Sequence, residues 1–213
     1  MNLPVHTLSD TAPHFSERYD TGIITGALLW SDTKILAALL LEGRSPADIR
    51  EAVSANNSLL RQTKNRGSKI TSYLLNRFKH CPKGLLELIV RSDSDTSKQA
   101  AFVATLITSR FLRDFMNEVV CEILEGPTNQ LPSHFWGDFW GSCVSKEPDL
   151  SELREKAVRE VRSTLLRFLV EVGILGGIRA RELRRITLTP QIRAVLISAE
   201  LSAVRFYLRS FVR

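Results

Sequence analysis

Between Glu51 and Glu87 this 213-residue chain carries no acidic side chain, and residues 58–83 inside that gap hold Arg61, Lys64, Arg66, Lys69, Arg77, Lys79 and Lys83. Cations without interleaved carboxylates call for an anionic partner, and phosphate is the obvious one. Gln62, Thr63, Asn65 and Ser68 stand among them as neutral donors. From about Asn65 onward the segment also has helical period, with Ile70, Leu74, Leu75 and Phe78 near one side and Arg66, Lys69, Tyr73 and Asn76 on another flank. A helix with one side for a core and another for cations and amide donors suits insertion against a DNA groove. A solvated surface helix has the same composition, so charge alone leaves both readings open.

Other residues could do chemistry, and each has a plainer explanation. Asp114, Glu118 and Glu122 recur at four-residue steps and could be pictured as metal ligands. Hydrolytic metal sites draw on several elements, however, and no His or Asp cluster accompanies these three, so a charged surface row, or pairing with arginines of the basic regions, is expected. His134 and Asp138 lie one helical turn apart, but no supported Ser or Cys nucleophile goes with them, and the aromatics around them, Phe135, Trp136, Phe139 and Trp140, read as core anchors. Cys81, Cys121 and Cys143 are far apart and lack ligand spacing, which supports neither a disulfide framework nor a zinc site and points to a reducing cytosol. No Walker A or GxGxxG motif occurs.

The elements that must position the cations follow from the wider pattern. A hydrophobic content of 44% is enough for a real core, and the net charge of +6 is unevenly spread. Residues 1–57 carry four Lys and Arg against seven Asp and Glu, and 58–83 carry seven against none. Residues 84–150 carry five against ten, and 151–213 thirteen against six. Two basic regions therefore flank an acidic middle, which suggests two places where a polyanion can be held. The N-terminus lacks the pattern of a secretory signal, and the apolar stretch 22–41 is broken by Ser31, Asp32 and Lys34, so no membrane span is expected.

Residues 1–20 read as an extended arm. Ser31 and Asp32 are expected to open a helix that stops near Gly43, and Ser45-Pro46 to cap the next one, with the basic helix following. That order suits a helix-turn-helix variant over residues 21–92, the basic helix reading and the Ser45 helix supporting it. Residues 93–145 are assigned central helices, dominated by one long helical pattern over about 96–124. Residues 146–213 are assigned a winged unit and tail. There, Asp149 and Glu152 predict a capping box for a helix to about Val172, and residues 174–178 and 185–189 predict two short strands around an arginine-rich loop. Thr189-Pro190 starts a last helix, and the residues beyond it dock on the core or on another subunit. Arg179, Arg181, Arg184 and Arg185 would then sit on a wing that contacts DNA backbone or minor groove; a hairpin edge merely solubilised by charge is the alternative.

Several stretches together resemble the BrxA family, a small component of BREX bacteriophage-exclusion systems. They are Gly26-Ala27-Leu28-Leu29 with Asp32-Thr33-Lys34-Ile35, Asn57-Ser58-Leu59-Leu60 with Thr63, Ser68 and Ile70, and Arg77-Phe78. Further on come Arg113-Asp114-Phe115 with Glu118-Val119, Asp138-Phe139, Pro148-Asp149-Leu150, and the run from Leu166 to Leu175. The likeness covers about residues 20–195, and it is the order and spacing of the pieces that are specific. The resemblance implies a mainly α protein, a NusB-like helical bundle with helix-turn-helix and winged-helix features, that binds double-stranded DNA in phage defence and has no catalytic residue of its own. The resulting expectation is a cytoplasmic, non-enzymatic duplex-binding protein that needs no cofactor, metal, membrane or small-molecule substrate and has other BREX proteins as partners. Affinity would come mainly from backbone contacts by Arg61, Gln62, Thr63, Lys64, Asn65, Arg66, Ser68, Lys69 and Arg77, with Arg179, Arg181, Arg184 and Arg185 as the second contact. An RNA-binding NusB-like protein and an assembly adaptor within the defence complex are the rival readings.

Overall fold

Apolar residues at helical spacing decide which side of each segment turns inward, and α5 (Ser94–Thr108) is the segment with almost no outside. In the computed structural model, which describes residues 15, 17–56, 64–198 and 201–211, eleven of its fifteen side chains are buried, from Thr96 through Ile107. A helix apolar nearly all round belongs at a centre. Around it lie α1 (Trp30–Leu41), α3 (Lys64–Phe78), α4 (Lys83–Arg91), α9 (Glu155–Val172), α10 (Pro190–Ile197) and α11 (Val204–Tyr207). Helix α2 (Pro46–Asn56) packs on α3. The buried apolar side chains form one continuous cluster from Tyr19 to Phe211.

The ends of α5 show how it is held. Asp93 caps its start, its carboxylate accepting from the Asp95 and Thr96 amides at 2.9 and 3.0 Å. At the other end the expected long helix over 96–124 does not run through. Ser109 takes an extended conformation, its hydroxyl oxygen accepts from the Leu112 amide, and a separate helix α6 (Arg110–Phe115) begins. The break leaves carbonyls at the end of α5 without helical partners. Arg113 is folded into the core and donates to two of them, Leu106 O at 2.9 Å and Ile107 O at 3.0 Å. From Met116–Cys121 the chain then widens to π geometry, with bonds reaching one residue further, before α7 (Glu122–Glu125).

Three further expectations are corrected. Helix α1 starts at Trp30 without a side-chain cap; Leu29 before it is left-handed at φ 48°, and Asp32 is buried rather than capping. The capping box at Asp149 and Glu152 does not form, because Pro148–Glu152 is a 3-10 turn and α9 begins only at Glu155. The two short strands are absent among the described residues. Leu183, expected in a polar loop, is instead buried, and its insertion draws 182–184 back onto 174–176, with Arg184 N donating to Ile174 O at 2.7 Å and Gly176 N to Glu182 O at 3.1 Å. The segment 129–131, before α8 (Phe135–Lys146), completes the contact through an isolated antiparallel bridge between Gln130 and Glu182.

Other signals hold as read. Ser45 and Asp48 bond reciprocally at the start of α2, Gly43 and Gly173 take positive φ after α1 and α9, and Pro190 is the first residue of α10. The tail docks on the core through Val204, Leu208 and Phe211. No helix among the described residues is long and apolar enough to cross a membrane.

Candidate nucleic-acid interface

Helix α3 has the two sides its sequence implies. Ile70, Leu74, Leu75 and Phe78 are buried, and Gly67 is buried facing Val53 of α2. The opposite side exposes Asn65, Arg66, Ser68, Lys69, Ser72, Asn76, Lys79 and His80, with no carboxylate among them. Lys64 begins the helix, while Arg61, Gln62 and Thr63 lie outside the described residues.

Arg77 is not on that face. It is 1% exposed, and its guanidinium donates to Ala27 O at 2.7 Å, Leu28 O at 2.8 Å, the Thr33 hydroxyl at 3.2 Å and the Tyr73 hydroxyl at 3.1 Å. The rings of Tyr73 and Phe168 lie 4.9 and 5.8 Å from its guanidinium carbon. Nη1 and Nη2 are bonded while Nε is buried without a hydrogen-bond partner, and the group closes the left-handed corner before α1, where Leu28 N also donates to the Glu171 carboxylate at 2.8 Å. The assignment of Arg77 to phosphate contact is therefore corrected. Tyr73, half-buried, is engaged in the same arrangement through its hydroxyl and its ring.

The second group of arginines divides. Arg184 lies over Gly176 and pairs with Glu182 at 3.1 Å, and Arg185 donates to Leu124 O at the end of α7. Arg179 is exposed and Arg181, at φ 53°, is half-buried; these two line a cavity together with Arg162 of α9. Arg162 had no local signal in the sequence, since on its own helix it reads as one more surface cation.

Several acidic residues of the middle are paired within the chain. Asp114 accepts from the Tyr19 hydroxyl and pairs with Lys146 at 3.2 Å and Arg110 at 3.6 Å, while Glu118 takes Lys146 and the Ser142 hydroxyl. Burial opposes the charge on Lys146, but the bonds to Glu118 and Asp114 outweigh it and raise its pKa above the ordinary value. Glu122 and Glu125 pair with Arg209 of the tail at 3.1 and 3.0 Å. His134 and Asp138 form an exposed pair at 3.6 Å. The three cysteines are buried; burial pushes the Cys143 thiol up to about 12 and raises Cys81 and Cys121 as well. Among the described residues no group of His, Cys, Asp and Glu is placed to hold a metal ion.

The chain resembles the BREX protein BrxA of Escherichia coli O9:H4 (strain HS), 25% identical over 174 residues and 82% of each chain. It is also similar to the BREX protein BrxA of Paramagnetospirillum magneticum (strain ATCC 700264 / AMB-1), 25% identical over 84% of this chain and 90% of that one. In fold it matches the crystal structure of an uncharacterized protein from Magnetospirillum magneticum with a TM-score of 0.79, at 24% identity, over 91% of this chain and 98% of the other. Residues 17–200 match the family model BrxA, and the chain belongs to the BrxA family.

Proposed function

We propose that this protein is a non-enzymatic double-stranded DNA-binding component of a BREX system that acts in defence against phage in the cytoplasm. The observation that carries the reading is the exposed face of α3, where Arg66 and Lys69 stand among neutral donors and no carboxylate interrupts them. Helices α2 and α3 act as the helix-turn-helix unit, and Arg179 in the turn after α9 provides the second contact, in the place of a wing. The exposed Arg66 and Lys69 carry full charge, whereas Asn65, Ser68, Ser72 and Asn76 are neutral donors, so backbone phosphate dominates affinity and sequence preference is modest. The bonded state of Tyr73 supports duplex over single-stranded RNA as the ligand.

Duplex binding measured over a series of salt concentrations tests this. Arg66→Gln/Lys69→Gln is expected to weaken binding and to make the log affinity versus log salt plot shallower by roughly one unit for each residue removed. Wild-type binding without salt dependence, or a variant with the wild-type slope, refutes it.

A further inference from the structure

Arg162, Arg179 and Arg181 meet around a cavity of about 390 Å³ whose remaining walls are Leu131, Phe135, Leu166 and Ile178. Arg162 comes from α9, and the other two come from the turn that follows it. Three guanidinium groups lining one concavity repel one another unless an anion joins them. Arg184, Arg185 and Arg209 are each consumed by a carboxylate or a carbonyl, whereas none of the three around the cavity forms an ion pair among the described residues. Arg162 is steadied by the ring of Phe135, 5.4 Å from its guanidinium carbon, which holds the fork without using its donors.

The backbone at Arg181 is a second, independent sign of a built site. A non-glycine residue at φ 53° is strained, and the strain is held by two bonds, from Arg181 N to Gly177 O at 3.2 Å and from Leu131 N to Arg181 O at 2.9 Å. The same bonds fix the residue on the cavity wall beside Leu131. Ile178, 51% exposed, brings a large apolar side chain to the opening.

The geometry points to a binding site for a phosphomonoester carried on a compact organic body, of the nucleoside monophosphate class. A carboxylate offers two oxygens, enough for one fork; a terminal phosphate offers three, which lets three arginines share it. The apolar walls accept the organic body, and the volume lies within the range of roughly 300–1,000 Å³ common for small-ligand sites. The site does not depend on duplex binding by α3. The phosphomonoester comes either from a free nucleotide or from the end of a nucleic-acid strand.

Titration calorimetry of the full chain with adenosine 5′-monophosphate, adenosine and inorganic phosphate tests the site. Saturable binding of the monophosphate is expected, about tenfold or more tighter than either fragment, and weakened about tenfold by Arg162→Gln and by Arg179→Gln with an unchanged unfolding midpoint. Arg66→Gln/Lys69→Gln should leave nucleotide binding intact while lowering duplex affinity, so the failure of one reading is distinguishable from the failure of the other. No saturable binding, affinity for adenosine equal to that for the monophosphate, or indifference to both arginine substitutions overturns the proposal. Short oligothymidylates with a 5′-phosphate or a 5′-hydroxyl separate the sources. A preference for the phosphate as large as that of the monophosphate over adenosine assigns the strand end, and no preference assigns the free nucleotide.

Discussion

Substituting Arg77 by Gln separates a structural arginine from a phosphate contact, because the two roles predict opposite readouts. In the folded protein Arg77 reaches Ala27 O, Leu28 O, Thr33 and Tyr73 from a position 1% exposed. Glutamine is shorter and carries a single amide donor group, so at least one of the two buried carbonyls loses its guanidinium partner. Leu28 O keeps the Thr33 hydroxyl at 2.6 Å, which leaves Ala27 O the more exposed to loss. An unsatisfied buried polar group costs about 1–3 kcal/mol, and the space left beside Tyr73 and Phe168 adds about 1 kcal/mol more. The expected destabilisation is therefore about 3 kcal/mol, equivalent to roughly 6–12 °C in the unfolding midpoint of a domain this size. Urea unfolding followed by circular dichroism at low temperature reads it as a lower midpoint with an unchanged slope. Duplex binding by the folded variant should keep the wild-type salt dependence. Stability within about 0.5 kcal/mol of wild type, together with a salt slope shallower by roughly 0.9, would show Arg77 on phosphate and sink the reasoning.

Two further outcomes follow from the ends of α5. Arg113→Met keeps the bulk of the side chain but frees Leu106 O and Ile107 O at the break, so about 3 kcal/mol of destabilisation is expected, read as a lower midpoint in scanning calorimetry; an unchanged midpoint refutes its sealing role. Asp93 has its carboxyl pKa lowered by the Thr96 amide, the Thr96 hydroxyl and the Asp95 amide. A depressed carboxylate contributes stability that is complete above its unfolded value of about 3.9 and is lost as pH falls through the lower folded value. Asp93→Asn is expected to flatten that part of the acid unfolding curve, and an acid limb identical to wild type refutes the capping role.

Helix α3 was legible in the sequence because its period and its charges agree: Arg66 and Lys69 fall where the wheel leaves a side free. Arg77 was not, although the same wheel carries a trace of it. Residue 77 lies seven positions after Ile70 and three after Leu74, on the core side, and only the prior that arginine faces water moved it outward. Arg113 repeats the pattern, seven positions after Leu106 on the buried side of its own run. In both cases the partner is a set of loop carbonyls distant in sequence or freed by a chain break, and neither feature has a local signature. The strands expected after α9 failed for a related reason. Alternation around 174–189 suggested pairing, but Leu183 went into the core and shifted the contact toward 182–184, a choice made by tertiary burial.

The π turn at Met116–Cys121 explains why one row of acids serves two different parts of the molecule. In an unbroken α-helix Asp114, Glu118 and Glu122 would stack on one stripe and compete for the same cation. The wider turn slips the register between Glu118 and Glu122, so the first two acids meet Lys146 of α8 while Glu122, with Glu125, meets Arg209. One extra residue of backbone thus acts as a divider. It gives the C-terminal tail a mooring of its own, and it leaves Arg205 and Phe206 turned outward on that tail.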